Sequence, residues 1–290
     1  MVSLRGVGVA LITPFKEDFS VDYDALERVL EYVINGKVNY IVSLGTTGET
    51  ATLTEEEKIA ILNFTYDKVN GRVPIVVGIG GNNTAEVIDC IKTWPLEKAV
   101  AILSVSPYYN KPSQEGIYQH YAAIAKSTDK NIILYNVPGR TNSNISAETT
   151  IRLAKDFKNI IGTKEASGNM VQCMHLVKNR PEGFLLISGD DHITLPLVAC
   201  GFDGVISVAA NCFAAEFCML VHRALDANWD KAREMQSKLL VGLDLLFAEN
   251  NPAGVKAFMA EMKLIGNYLR LPLVPLTAGL HEQVVDFMRQ

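Results

Sequence analysis

Short apolar runs alternate with longer amphipathic segments along most of the chain. The runs are rich in valine and isoleucine, and their apolar residues follow one another instead of occupying every second position. This pattern is typical of strands that are buried on both faces of a parallel sheet. We predict eight strands, at residues 7–13, 40–44, 74–77, 99–105, 131–135, 160–164, 184–188 and 204–207.

The amphipathic segments between these runs carry apolar residues at helical spacing. They predict helices at residues 22–34, 55–69, 84–93, 114–127, 147–157, 170–178 and 214–227. Eight strand-helix units favour an α/β fold of the (β/α)₈ TIM-barrel type over an open doubly wound sheet, which has about six strands.

The strand pattern stops after the eighth unit, and residues 229–247 and 251–265 predict two further helices. We therefore expect a barrel that carries the active site at residues 1–224 and a C-terminal helical extension at residues 225–290. No linker rich in Gly, Ser or Pro separates the two parts. The extension should pack on the barrel or on another subunit.

Charge and apolar length exclude two classes of partner. The 290 residues carry a formal net charge of −5 with no block of like charge, so we expect no nucleic-acid partner. The longest apolar stretches fall far short of the roughly 18 residues of a spanning helix, so we expect no membrane partner. The first 15 residues resemble a strand and not a signal peptide.

The cysteines indicate a reducing compartment. The chain has 5 of them, scattered and without a C-x-x-C pair, which predicts buried thiols and no disulfide framework. Together with the absence of a signal peptide, this predicts a cytoplasmic protein.

Lys164 is the most reactive candidate at a predicted strand end. In a barrel of this type, the groups at the carboxyl ends of the strands form the active site. Lys164 closes an apolar run, where partial desolvation would favour the neutral, nucleophilic amine. Tyr135 ends the preceding strand, and a phenol beside an amine can relay protons. The alternative is a structural lysine that reaches solvent or pairs with Glu165.

Two other strand ends offer groups for binding an anion. Thr46 and Thr47 lie between glycines after the second strand, and their hydroxyls and backbone amides suit a carboxylate or phosphate. Arg140 follows a Pro-Gly turn and could clamp a carboxylate with two hydrogen bonds. The alternatives are an ordinary turn and a surface arginine.

Two further patterns are weak signals. Residues 78–83 read GIGGNN, in which Asn83 replaces the last glycine of a dinucleotide-binding motif. Cys218 and His222 are four residues apart on a predicted helix, but no other metal ligand is spaced nearby. We therefore expect neither a nucleotide nor a metal at these places.

Three motifs together resemble the dihydrodipicolinate synthase and N-acetylneuraminate lyase superfamily. They are GTTGE at residues 45–49, YNVPGRT at residues 135–141 and GTKE at residues 162–165. The similarity extends from VALITPF at residues 9–15 to ENNP at residues 249–252 and LRLPL at residues 269–273. Arg140 and residues 107–121 resemble the dihydrodipicolinate synthase branch.

The resemblance implies a Schiff-base enzyme of lysine and diaminopimelate biosynthesis, without a cofactor or metal. It would condense pyruvate with L-aspartate 4-semialdehyde to 4-hydroxy-tetrahydrodipicolinate. Lys164 would form the imine, and Thr46 and Thr47 would bind the pyruvate carboxylate. The remaining implied roles are a proton relay of Tyr135, Thr47 and a neighbouring subunit's Tyr109, a carboxylate contact by Arg140, and shaping of the site by Gly189 and Ile206. The family is usually a homotetramer of two tight dimers.

The resemblance also implies a lysine-binding cleft at the tight-dimer interface. Its matching residues are Thr50, Ala51, Glu55, Lys58, Asn82, Glu86 and Tyr108. Sensitive relatives often carry His or Glu where Lys58 stands, and an ammonium there would repel that of lysine. We expect weak or absent inhibition, unless Glu55 neutralises Lys58 from three residues away on the same helix.

Two other functions remain as alternatives. One is another pyruvate-dependent aldolase of the superfamily, a lyase for a sialic or keto-deoxy sugar acid, which would keep Lys164 and Tyr135 but not need Arg140. The other is a barrel that binds a keto acid without catalysis. Such a barrel does not need an activated amine.

Overall fold

A closed barrel of eight parallel strands forms the centre of the computed structural model, which describes residues 3–289. Each strand pairs with the next one along the chain, and the last pairs with the first. The strands are β1 (Gly6–Ala10), β2 (Tyr40–Ser43), β3 (Ile75–Gly78), β4 (Ala101–Val105), β5 (Ile132–Asn136), β6 (Ile160–Glu165), β7 (Leu185–Ser188) and β8 (Gly204–Ser207). The predicted barrel and its eight strands are confirmed.

The first strand ends earlier than its apolar run. Residues 11–13 continue the run, but the backbone N–H of Ile12 donates to the side chain of Asn211 instead of to a neighbouring strand. A side chain 199 positions away in the sequence therefore ends the strand, and no local pattern signals it.

Helices surround the barrel. They are α1 (Tyr23–Asn35), α2 (Glu55–Val69), α3 (Thr84–Thr93), α4 (Gln114–Lys126), α5 (Pro138–Thr141), α6 (Ala147–Asp156), α7 (Met170–Asn179), α8 (Thr194–Cys200) and α9 (Ala214–Leu225). The seven predicted helices are present, and α5 and α8 were not predicted. With 4 and 7 residues, these two are too short to show a helical period.

The C-terminal helical extension consists of α10 (Trp229–Phe247), α11 (Ala253–Glu261) and α12 (Ala278–Met288). The predicted helix at residues 251–265 is shorter at both ends, and it ends where Lys263 takes a positive φ of 59°. The helix α12 was not predicted. Phe213, Phe258 and Phe287 pack with ring centroids 5.2 to 6.1 Å apart and join the extension to the barrel. The boundary at residue 224 stays a prediction.

Two apolar layers follow from the alternation of side chains along each strand. Ile133 and Tyr135 belong to the cluster inside the barrel. Ile132 and Leu134, on the same strand, belong to the cluster between strands and helices.

One irregularity between β5 and β6 decides which side chains of β6 face inward. Ile132 lies opposite Ile160, but Ile133 lies opposite Gly162, so Ile161 is an extra residue. Because a slip of one residue reverses the face of every later side chain, Lys164 shares the face of Tyr135. If Ile161 itself paired with Ile133, Lys164 would lie opposite Asn136 and face the helices.

No helix of the described residues is both long enough and apolar enough to cross a membrane. The five cysteines are all free thiols.

Candidate active site

Lys164 and Tyr135 lie side by side at the carboxyl ends of neighbouring strands. They are directly opposite in the pairing of β5 with β6, and the Lys164 ammonium nitrogen is 4.2 Å from the centre of the Tyr135 ring. Both side chains are buried, with only 6% of Lys164 exposed. The predicted neighbours are therefore brought into contact.

The Glu165 carboxylate, next to Lys164 in the sequence, is hydrogen-bonded to other groups. Glu165 accepts hydrogen bonds from Asn136 Nδ2, the Ser167 backbone and Gln172 Nε2, at 2.7 to 3.1 Å. Within residues 3–289, Lys164 forms no ion pair. The alternative in which Glu165 pairs with Lys164 is wrong.

Gly189 leaves room for the Lys164 side chain. It follows β7, and its backbone N–H donates to the carbonyl of Glu165 at 2.8 Å. A Cβ at this position would lie 3.0 Å from Cε of Lys164 and 2.7 Å from Cβ of Ala166. Ile206 on β8 is buried in the inner cluster that also contains Tyr135. Both residues thus line the region around Lys164 or Tyr135.

The two threonines form a short 3₁₀ turn, Thr46–Gly48, after β2. Thr46 is exposed and Thr47 is buried. Gly48 lies close to β1 at the end of the turn, where a Cβ would be 3.2 Å from the carbonyl oxygen of Leu11. The turn therefore presents one hydroxyl to solvent and holds the other inside.

A buried ion pair fixes the turn to the C-terminal extension. Glu49 has a positive φ of 52° and contacts the ammonium of Lys256, and both side chains are fully buried. Lys256 also donates to the carbonyl of Tyr268 at 2.9 Å, and Glu49 accepts from the Arg270 backbone at 3.0 Å. Burial lowers the pKa of Lys256 to about 8, and the Glu49 carboxylate opposes this shift.

Asn251 connects Thr47 to Arg140. Its side-chain Nδ2 donates to Thr47 Oγ1 at 2.9 Å, and its backbone carbonyl accepts from Arg140 Nη2 at 3.4 Å. The Arg140 side chain is otherwise exposed. Asn251 belongs to the ENNP motif of the resemblance, but no role was predicted for it. Its partners Thr47 and Arg140 are 204 and 111 positions away, so no local pattern indicates these contacts.

Tyr109 is the most exposed of the predicted catalytic residues. It follows β4 with a positive φ of 73°, and 87% of it is exposed. In the described part of the chain, its hydroxyl makes no hydrogen bond to Tyr135, Thr47 or Lys164. Whether a neighbouring subunit uses it stays a prediction.

The candidate lysine-cleft residues occupy three neighbouring segments. Asn82 donates to the carbonyl of Tyr108 at 3.1 Å, and Glu86 is held by Asn83 at 2.7 Å. Thr54 and Glu57 cap the start of α2, and Glu55 accepts from the Trp94 indole at 3.3 Å. Lys58 is in no ion pair of the described residues, so neutralisation by Glu55 is not seen. The other two residues, Thr50 and Ala51, lie in the 3₁₀ turn Thr50–Thr52 that precedes α2.

Cys218 and His222 have structural surroundings. His222 Nε2 binds Asn39 at 2.8 Å, and Cys218 is a buried thiol. Within residues 3–289, no three His, Cys, Asp or Glu side chains are grouped to hold a metal ion.

A closed barrel with polar groups at the carboxyl ends of its strands is the architecture of the (β/α)₈-barrel enzymes, which is the class of this protein. The model of the dihydrodipicolinate synthetase family matches residues 3–290. The chain belongs to this family.

The chain is similar to known proteins over nearly the full length of both sequences. The 4-hydroxy-tetrahydrodipicolinate synthase of Parabacteroides distasonis is 52% identical over 289 residues, which are 100% of this chain and 97% of the relative. The chloride-inhibited dihydrodipicolinate synthase of Acinetobacter baumannii, solved with pyruvate, is 38% identical with a TM-score of 0.96, covering 99% and 98% of the two chains. The enzyme of Cyanidioschyzon merolae, solved with lysine bound, is 36% identical with a TM-score of 0.94, covering 98% and 97%.

Proposed function

We propose that this enzyme condenses pyruvate with L-aspartate 4-semialdehyde to 4-hydroxy-tetrahydrodipicolinate, through an imine at Lys164. The observation that carries the proposal is the buried Lys164 amine against the Tyr135 ring, 4.2 Å away, with no carboxylate paired to it in the described residues. The 52% identity to a 4-hydroxy-tetrahydrodipicolinate synthase over the whole chain supports the choice of substrates.

The first half of the reaction activates pyruvate. The neutral amine of Lys164 adds to the keto carbon, and loss of water gives the imine. The imine withdraws electrons, so the methyl group of pyruvate loses a proton and an enamine forms. The hydroxyls of Thr46 and Thr47 hold the pyruvate carboxylate.

The second half forms the carbon-carbon bond. The enamine carbon attacks the aldehyde, and the aldehyde oxygen takes a proton. The amino group of the semialdehyde then displaces Lys164 and closes the ring. One water leaves overall. Tyr135 and Thr47 carry the protons together with Tyr109 of a neighbouring subunit, and Arg140 binds the carboxylate of the semialdehyde. The protein's own groups suffice for these steps, so we propose that no cofactor or metal takes part.

Borohydride trapping tests the proposal. Reduction in the presence of pyruvate should leave a stable adduct on Lys164, found by peptide mass mapping, and should abolish activity. Lys256 is a matched internal control, since it is buried as deeply but paired with Glu49. An adduct on Lys256, or none on Lys164, would contradict the assignment.

A sialic or keto-deoxy sugar acid lyase is the second candidate, and it would also give the Lys164 adduct. Arg140 favours the first candidate because its guanidinium, anchored by the Asn251 carbonyl, can bind the carboxylate of the semialdehyde. Turnover assays with unreduced pyruvate and either L-aspartate 4-semialdehyde or a sugar aldehyde separate the two. A non-catalytic barrel would turn over neither.

Assembly and location belong to the same proposal. We place the enzyme in the cytoplasm as a homotetramer of two tight dimers. The five free cysteines and the exposed Tyr109 support these assignments.

L-Lysine should inhibit weakly or not at all. Lys58 has no carboxylate partner in the described residues, so its ammonium would repel the ligand's if both enter the cleft. An inhibition curve at saturating substrates tests this, and half-inhibition well below a millimolar would contradict it. Lys58→His should then be measured for a gain in sensitivity.

A further inference from the structure

Asn251 is held in place from both sides. Before it, Glu249 accepts from the backbone N–H and the hydroxyl of Thr277, at 2.8 and 2.6 Å. After it, Lys256 forms the buried pair with Glu49, two residues beyond Thr47. Asn251 itself is 6% exposed. The C-terminal extension therefore brings one fixed, buried amide to the barrel mouth.

The contact between Asn251 and Thr47 has a defined direction. The Nδ2 group of an amide has hydrogens and no acceptor lone pair, so Thr47 Oγ1 must accept this hydrogen bond. A hydroxyl has one hydrogen and two lone pairs. With one lone pair occupied by Asn251, the other lone pair and the hydrogen remain free.

We propose that Asn251 is a positioning residue for the reaction, because it turns the O–H of Thr47 toward the proton relay and holds Arg140 beside it. This rests on the proposed function, in which Thr47 carries protons and Arg140 binds the second substrate. The side chain acts on Thr47, and the backbone carbonyl acts on Arg140. The relay can then pass a proton through Thr47 in one step, with no rotation of the hydroxyl away from a competing acceptor.

The direction of the hydrogen bond from Asn251 to Thr47 can be tested by replacing the amide with a carboxylate of the same shape. In Asn251→Asp, the ionised side chain can only accept, so the hydroxyl of Thr47 should turn toward it and away from the relay. The backbone carbonyl that contacts Arg140 is unchanged. We expect kcat to fall roughly 10- to 100-fold at pH 8, at or below the lower end of general acid-base effects, because Asn251 acts only through Thr47. Borohydride should still trap pyruvate on Lys164.

The pH profile separates a positioning role from a structural one. Burial should raise the pKa of the introduced carboxyl. The Arg140 guanidinium, which contacts the backbone carbonyl of this residue, opposes the shift, and the buried pair of Glu49 with Lys256 holds one charge of each sign. Once protonated, the carboxyl again donates to Thr47. The kcat of the variant relative to the wild type should therefore rise as the pH falls.

Asn250→Asp is the matched control. It places the same carboxylate one residue earlier, on an exposed side chain with a positive φ of 72° that aspartate tolerates. Its kcat and pH profile should equal those of the wild type.

The outcomes are distinct. Absence of a Lys164 adduct in the wild type would overturn the proposed function. A normal adduct with unchanged kcat in Asn251→Asp, or with a loss that is equal at every pH, would overturn the role of Asn251. If Asn251→Asp does not fold, Asn251→Ala should lower kcat about 10-fold alone but no further in a Thr47→Val background. A further loss there would overturn the proposal.

Discussion

At the residue scale, contacts with residues that are distant in the sequence control the position of the Lys164 side chain. Lys164 could be selected from the sequence because it is a charged residue that ends an apolar run. Gly189 was expected only through the family resemblance and Asn251 was not expected at all, because their contacts form only in the closed fold. The identity of Gly189 carried no signal by itself, since a glycine after a strand is also typical of an ordinary turn.

Gly189→Ala should impair imine formation. The added methyl would lie 3.0 Å from Cε of Lys164 and 2.7 Å from Cβ of Ala166, so the lysine stem has to move. We expect trapping of pyruvate to slow at least about 10-fold, because small misplacements of a reacting group carry large kinetic costs. The trapping rate measures this, and Gly139→Ala is the control, since a Cβ there meets nothing within 4 Å. Equal rates in the wild type and Gly189→Ala would show that the stem adapts.

At the scale of elements, the alternation of strands and helices was predictable, but register and buried ionic contacts were not. Apolar runs gave all eight strands because both faces of each are buried. The extra residue Ile161 left no trace in the pattern, because it depends on hydrogen bonds with β5. The contact of Glu49 with Lys256 joins two elements 207 positions apart, and each residue alone resembles a surface charge.

Removing one partner of the buried pair of Glu49 and Lys256 should lower the free energy of unfolding much more than removing both. Lys256→Met leaves the Glu49 carboxylate buried without a counter-charge and should cost about 3 to 5 kcal/mol of unfolding free energy. Adding Glu49→Gln should recover much of this. Urea unfolding measures both variants. The same change in an exposed pair, Lys238→Met beside Glu234, should alter stability little, and a similar loss there would show that burial is not the cause.

His120 predicts a loss of stability in mild acid. It joins α4 to α3 through Thr84, with 2.8 Å between Nδ1 and the hydroxyl, and burial lowers its pKa to about 4. The unfolded chain, with a pKa near 6.5, binds more protons between these values, so stability is full above pH 6.5 and falls as the pH drops toward 4. The loss between pH 6.5 and 5 should be about 2 kcal/mol.

His120→Gln provides the comparison for this effect, because glutamine does not titrate. Unfolding free energies at pH 7 and 5 should differ less in the variant than in the wild type. An identical pH dependence would assign the loss to other groups.

At the scale of the whole molecule, the sequence predicted the family, and the matching family model confirmed it. The missing parts were α12 and the way in which the extension reaches back to the barrel mouth. That return includes three aromatic rings and the ion pairs of Lys256 with Glu49 and Arg270 with Glu57, whose partners are distant in the sequence. Such contacts form only when the whole chain folds.

Mixing inactive protomers tests the shared site. Lys164→Ala and Tyr109→Phe should each be inactive or nearly so, but their hybrids contain one intact composite site if Tyr109 serves the neighbouring subunit. We expect partial recovery of activity after subunit exchange, with exchange verified by native mass spectrometry. If verified hybrids recover nothing, Tyr109 acts within its own chain.

The closure of the barrel limits how copies of this chain can associate. Because β1 pairs with β8, each of the eight strands has a hydrogen-bonded neighbour on both sides, and none offers a free edge to another molecule. Association in the native state must use helices and loops, such as the loop that carries Tyr109. Aggregation by strand addition, the usual hazard of an open sheet, requires the ring to open first, so it should depend on how often the barrel unfolds.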